Sequence, residues 1–201
     1  MKKVSAAVVG YGDRGSVYSH YAITNPDELE IVAVVDINPN RLKLAKETFK
    51  LNDNQLFNDF DDFVKQGRIA DAAFVTTMDS LHYQQATALL NLGYNILLEK
   101  PIVNNEEQLL KLRDLAKEKK VIMSVGHVLR FTPFYKSIKE RILNGEIGDI
   151  VHIDTSELVG IAHSSSAFAR GKWRSKDFDP DIQKSQERLP DPKKPYLRLH
   201  A

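Results

Sequence analysis

The 201-residue chain contains no cysteine, which excludes a disulfide framework, a zinc–thiolate centre and thiol catalysis, and which suits a reducing compartment. Nor is either charge in excess: 28 Lys and Arg face 27 Asp and Glu, a formal net charge of +1. No overall field draws such a chain to nucleic acid or to an anionic membrane, so neither is expected as a partner and recognition must be local. Long apolar runs are missing as well. The opening MKKVSAAVVGYGDRG has lysines and an apolar run, but glycine and charge break that run too early for a signal peptide or a membrane span. The expected setting is the cytoplasm. No repeat occurs at solenoid or propeller spacing. With 42% hydrophobic and 27% charged residues, the composition is that of an ordinary globular chain, long enough for one full domain and part of another.

What is present is periodic. Short runs rich in Val, Ile and Ala alternate with longer amphipathic stretches from residue 3 to about 125, the pattern of a parallel sheet covered by helices on both faces. Strands are predicted at residues 4–9, 31–35, 72–77, 94–98 and 121–125, with a weaker one near 55–58; most are apolar on both pleat faces. Asn38-Pro39 starts a helix carrying Leu42, Ala45 and Phe49, and a second helix runs over 80–92 and stops at Gly93. Asn104 or Asn105 caps a third, whose first turn holds Glu106 and Glu107 and whose last holds Lys117, Lys119 and Lys120, complementing the helix dipole. After Gly126 the pattern changes to a helix over 132–144 and then an alternating stretch, 149–158, which reads as a strand in need of a partner from another chain or from the tail. Residues 171–201 hold four of the eight prolines and no sustained period, so they are predicted irregular.

Gly10-Tyr11-Gly12-Asp13-Arg14-Gly15 is a G-x-G-x-x-G sequence that follows an apolar strand and opens a helix near Ser16. Alone, it could be an ordinary glycine-rich turn. In a dinucleotide site Gly10 permits the tight turn, Gly12 lets the backbone approach a pyrophosphate, and Gly15 lets helix and strand pack closely, with Asp13 and Arg14 in the same turn. Asp36 lies 21 residues after Gly15 at the end of the second strand, where a carboxylate accepts hydrogen bonds from the ribose hydroxyls and repels a 2′-phosphate. NAD is therefore expected over NADP. Arg41, on the following helix, can contact an adenosine phosphate, which keeps NADP open. A further group, Glu99-Lys100-Pro101, ends the strand at 94–98, and the proline directs Lys100 off the sheet edge rather than into a helix.

With these pieces in hand the chain resembles the Gfo/Idh/MocA oxidoreductases, the family of glucose-fructose oxidoreductase and inositol dehydrogenase. The matching segments are VVGYGDRG, VAVVDINPNR around Asp36, TTMDSLH ending at His82, LLEKP, and GHVLRFTPFYKSIKERILNGEIGDIV. The resemblance reaches to about residue 175. It implies an α/β fold in which a doubly wound Rossmann domain, residues 1–126, is followed by an incomplete α/β (α+β) substrate or oligomerisation domain over 127–175 and an irregular tail over 176–201. It also implies a sugar, inositol or related polyol as substrate, and a homo-oligomer. Carried over residue by residue, Lys100 is the family's catalytic lysine, hydrogen-bonding the substrate hydroxyl and stabilising oxyanion character as hydride leaves. Thr77, His82 and Glu99 fall beside the dinucleotide, His127 and Arg130 at the crossing toward substrate, and His163 is the remaining candidate for acid/base work.

Beyond Trp173 the resemblance fails: KDFDPDIQKSQERLPDPKKPYLRLHA has no histidine before His200, and the remaining strands of the usual second domain are absent. A truncation or a frame change near residues 176–185 would explain this. The leading reading is an NAD(P)-dependent polyol or sugar oxidoreductase. The alternatives are a catalytically impaired dinucleotide-binding module acting as sensor or scaffold, and the oxidation and elimination chemistry of NAD-dependent glycosidases. No metal site is expected.

Overall fold

Six strands, each too short and too apolar to stand in water, pair into one all-parallel sheet. They are β1 (Val4–Val9), β2 (Leu29–Val35), β3 (Leu56–Phe57), β4 (Ala72–Val75), β5 (Asn95–Leu98) and β6 (Met123–Val125), in the spatial order β3-β2-β1-β4-β5-β6. The structure is a computed structural model and describes residues 2–158 and 160. Parallel neighbours need crossovers, and helices supply most of them: α1 (Asp13–Ser19), α2 (Tyr21–Thr24), α3 (Pro39–Phe49), α4 (Phe60–Val64), α5 (Asp79–Asn91) and α6 (Glu106–Lys119). This strand order is that of the doubly wound Rossmann fold, whose direction reverses between β1 and β4.

Burial on both faces follows from the pleat. Ala7 and Val9 of β1 join Phe63, Leu89, Leu90, Tyr94 and Leu112 in one core, while Ala6 and Val8 join Tyr11, Ala45 and Leu51 in the other. The local signals act as predicted: Pro39 opens α3 with the Asn38 side chain accepting from Asn40 N–H, and the Asn105 side chain accepts from Gln108 N–H at 2.8 Å to start α6. Both α3 and α6 end on a lysine in the left-handed region, Lys50 at φ 55° and Lys120 at φ 56°.

Three expectations shift. The first helix opens at Asp13 rather than Ser16, β4 stops at Val75 so that Thr76 and Thr77 belong to the loop beyond it, and residues 149–158 form no strand. Their alternation supplies one apolar face, but a strand exists only as half of a ladder, and none among the described residues pairs with them. After β6 a 3-10 turn, Val128–Phe131, leads into α7 (Pro133–Leu143), which is packed against that turn. The chain divides into a unit ending at Leu143 and a second beginning at Asn144. Among the described residues no helix is long and apolar enough to cross a membrane.

Candidate functional site

The segments singled out by sequence all leave the sheet at its C-terminal edge. Directly after β1, Gly10 sits at φ +92°, and its N–H donates to the Val35 carbonyl at 2.8 Å. A β-carbon there would lie 2.9 Å from the Thr76 carbonyl oxygen, so the chain itself demands glycine. It demands one at Gly15 too, where a β-carbon would collide with the Gly10 carbonyl; that oxygen accepts from the Thr76 hydroxyl at 2.7 Å. Gly12 is different. It has a negative φ of −84°, and an added β-carbon would meet nothing nearer than Arg41 Nη1 at 3.6 Å. Internal packing does not explain this glycine. The first bond of α1 runs from Ser16 N–H to the Gly12 carbonyl at 2.9 Å, leaving the amides of Asp13, Arg14 and Gly15 without an intrahelical partner. The side chains of Asp13 and Arg14 are exposed beside the turn.

One strand over, Asp36 is buried while its carboxylate faces the same turn. Its Oδ1 accepts from Asn38 N–H at 2.8 Å, and its Oδ2 lies 3.5 Å from Arg41 Nη1. Two strands to the other side, Glu99 is buried as well: Oε2 accepts from Lys100 N–H at 2.8 Å, Oε1 accepts from the Tyr18 hydroxyl, and Arg14 Nε lies at 4.0 Å. Burial first, then the Glu99 hydrogen bond and charge, push the Tyr18 phenol up to about 12, so at neutral pH it is a fixed donor. Gly126, after β6, closes this cluster: a β-carbon there would lie 2.8 Å from Tyr18 Oη and 3.1 Å from Glu99 Oε1.

Lys100 itself is exposed, followed by a cis peptide bond to Pro101. The Pro101 carbonyl is 2.7 Å from His82 Nδ1, while His82 Nε2 is 3.2 Å from the Thr77 carbonyl. His82 thus ties the Lys100-Pro101 turn to the loop after β4. It has no surface exposed, so what its geometry supplies is positioning of the two loops. The Thr77 hydroxyl is engaged as well, donating to Gln85 Oε1 at 2.5 Å. His127 and Arg130 are exposed at the turn after β6, and His163 lies outside the described residues. Sequence spacing found the glycines, Asp36 and Lys100; it missed Tyr18, Gln85 and Gly126. Only the requirement that a buried Glu99 have donors could have pointed to a partner.

Along the edge the order is Asp36, glycine turn, Thr76-Thr77, Glu99-Lys100. With strands about 4.8 Å apart, the ends of β2 and β5 are roughly 14 Å from one another, the scale of an extended dinucleotide. An acid for ribose hydroxyls, an open glycine turn with amides to spare, and a cation at the far end fit adenosine, pyrophosphate and nicotinamide in that order.

Comparison with known proteins bears on the family and the fold. The model of the Gfo/Idh/MocA family, described as "Oxidoreductase family, NAD-binding Rossmann fold", matches residues 4–127. Scyllo-inositol 2-dehydrogenase (NADP(+)) IolW of Bacillus subtilis (strain 168) is 28% identical over 147 residues, 73% of this chain and 39% of that protein. Among solved structures, scyllo-inositol dehydrogenase from Lactobacillus casei with bound cofactor NAD(H) and scyllo-inositol superposes with a TM-score of 0.68 at 28% identity, covering 74% of this chain and 43% of that one. The WlbA dehydrogenase from Bordetella pertussis in complex with NADH and UDP-GlcNAcA gives 0.67 at 26% identity, covering 74% and 42%. The chain spans about two fifths of the length of these relatives.

Proposed function

This chain belongs to the Gfo/Idh/MocA oxidoreductases, and from that premise we propose that it binds a nicotinamide dinucleotide along the C-terminal edge of its sheet for hydride transfer to or from a sugar, inositol or related polyol. The observation that carries the reading is Gly12, a glycine that internal packing does not explain, lying between a buried carboxylate just after β2 and an exposed lysine just after β5. The nicotinamide supplies the hydride acceptor or donor. Asp36 accepts from the adenosine ribose, which favours NAD, and the amides of residues 13–15 receive the pyrophosphate. Lys100 holds the substrate oxygen by an ammonium hydrogen bond and stabilises the negative charge that develops there. Glu99, fixed by Tyr18, and His82, fixed by the Thr77 and Pro101 carbonyls, set where the Lys100 backbone lies. His127 and Arg130 are proposed toward substrate and His163 as an acid/base group. An inositol or sugar substrate is supported by the named relatives, and a homo-oligomer remains part of the proposal.

Titration of the protein with NADH, read by nucleotide fluorescence, tests the reading, followed by an assay of an inositol and sugar panel at saturating NAD. In the same titration Asp36→Ala loses about 1–3 kcal/mol of NADH binding, the usual cost of removing charge-assisted hydrogen bonds. Unchanged affinity in that variant would take Asp36 out of the site.

A further inference from the structure

The N-terminal edge of the sheet, opposite the glycine turn, carries an open cleft of about 300 Å³ where the start of β2, α2 and the end of α3 come together. Its apolar lining is Ala22, Ile23, Pro26, Leu29, Ile31 and Phe49. Ile31 belongs to the buried core that includes Tyr11, and Ala22, Leu29 and Phe49 pack against that core, so the lining is held from behind. The Phe49 ring is braced edge-on against Tyr11 with centroids 5.9 Å apart, and Pro26 fixes its own φ in the turn from α2 to β2. A cleft built this way loses little to ordering when a ligand enters. Three charged residues also line it: Lys3, Glu30 and Lys50. Lys3 Nζ lies 3.3 Å from Glu30 Oε2, and those two charges cancel. Lys50 enters no ion pair among the described residues. Its N–H is already given to the Lys46 carbonyl, and the Thr48 hydroxyl donates to the Leu44 carbonyl at 2.7 Å, so the Lys50 ammonium is the donor left over. Offsetting the last carbonyls of α3 would account for a lysine there, but not for the apolar lining beside it.

We infer that this cleft is a second ligand site, taking a small carboxylic acid with an apolar body. The hydrocarbon covers Ile23, Leu29 and Phe49, and the carboxylate accepts from the Lys50 ammonium. Two lysines and one glutamate leave a single positive charge, which matches a monoanion; a dianion would bring one charge too many, and a cation would meet Lys50 as a like charge. The site does not depend on the dinucleotide reading, because it lies at the other edge of the sheet.

Calorimetric titration of the full chain with phenylbutyrate, and with phenylbutanol and phenylbutylamine as its neutral and cationic counterparts, tests this. The acid binds with a Kd of about 1 mM or tighter, the order expected of so small a ligand. The alcohol binds about threefold or more weaker, and the amine weaker still. Lys50→Gln, which keeps the length of the side chain without its charge, brings the acid down to the level of the alcohol. Ile23→Glu, at a position already 45% exposed and so tolerant of a polar group, sets a like charge beside the carboxylate and abolishes its binding. Saturating NADH leaves the affinity for the acid unchanged. Displacement of the acid by NADH, equal binding of acid and alcohol, or undiminished binding by Lys50→Gln would each overturn the site, the last leaving Lys50 as a helix-end charge alone. No binding of the acid at about 10 mM would overturn it outright.

Discussion

Tyr18 and Glu99 are 81 positions apart, yet the phenol and carboxylate meet beneath the turn that carries Lys100. The Tyr18 phenol is raised from 10.0 to about 12, so the unfolded chain releases this proton first. The sign follows: the interaction stabilises the fold fully below pH 10 and its contribution is lost as pH climbs through 12. Thermal melts from pH 8 to 12 should therefore show a steeper alkaline fall for the unaltered protein than for Tyr18→Phe, with the variant less stable by about 1–3 kcal/mol at pH 8 because Glu99 loses a donor. Parallel curves would remove the pair as a structural tie. None of this was legible in sequence, where Tyr18 is one aromatic in a polar helix. Gly10, Gly15 and Asp36 were legible because each answers to a rule of spacing. His82 was visible as a residue but not as a buried clamp, since its two carbonyl partners come from loops after different strands.

At the level of elements, period and punctuation sufficed for long segments and failed for short ones. The helices at 39–49, 79–91 and 106–119 have enough turns for an apolar stripe to register, whereas α2 and α4, of 4 and 5 residues, do not, even though Asp59 caps α4 by accepting from the Asp61 and Asp62 N–H groups. The stretch 149–158 has a period but no ladder partner among the described residues. Lys50 and Lys120 also break expectation, since the left-handed residue after a helix is usually glycine. A side chain in that conformation costs about 1 kcal/mol or more, partly offset because glycine has more freedom to lose on folding. Lys120→Gly should therefore raise stability by up to about 1 kcal/mol in urea unfolding, with an unchanged m-value showing that the compactness of neither state altered.

Among the described residues, the sheet is covered on both faces, whereas the segment directly after it leaves apolar side chains exposed. Phe131 is 78% exposed and Phe134 68%, in a chain whose sheet strands leave Val4 as their one exposed apolar side chain among the described residues. Aromatic rings left in water at this density favour association. Light scattering over a concentration series should show mass rising with concentration, and Phe131→Ser combined with Phe134→Ser should reduce it. A constant monomer mass would exclude this face as the cause. Strand order was implied by the family resemblance and the pattern of alternation; which surfaces stay bare was not, because exposure depends on what packs where, and no local rule reports it.

Gly12 separates two requirements that proteins usually merge. At Gly10 and Gly15 any side chain strikes the chain's own backbone, so a substitution there damages folding and recognition together. At Gly12 the ligand-free chain has room for a methyl group. Gly12→Ala should then melt, without nucleotide, within about 1 kcal/mol of the unaltered protein, the balance of a poorer helix cap against a stiffer unfolded chain. The upward shift in melting temperature on adding NADH, which measures occupancy rather than architecture, should all but disappear. An intact fold with no ligand response would make this variant a blank for every binding experiment on the protein: the same shape, charge and surface, with only the approach to the backbone closed.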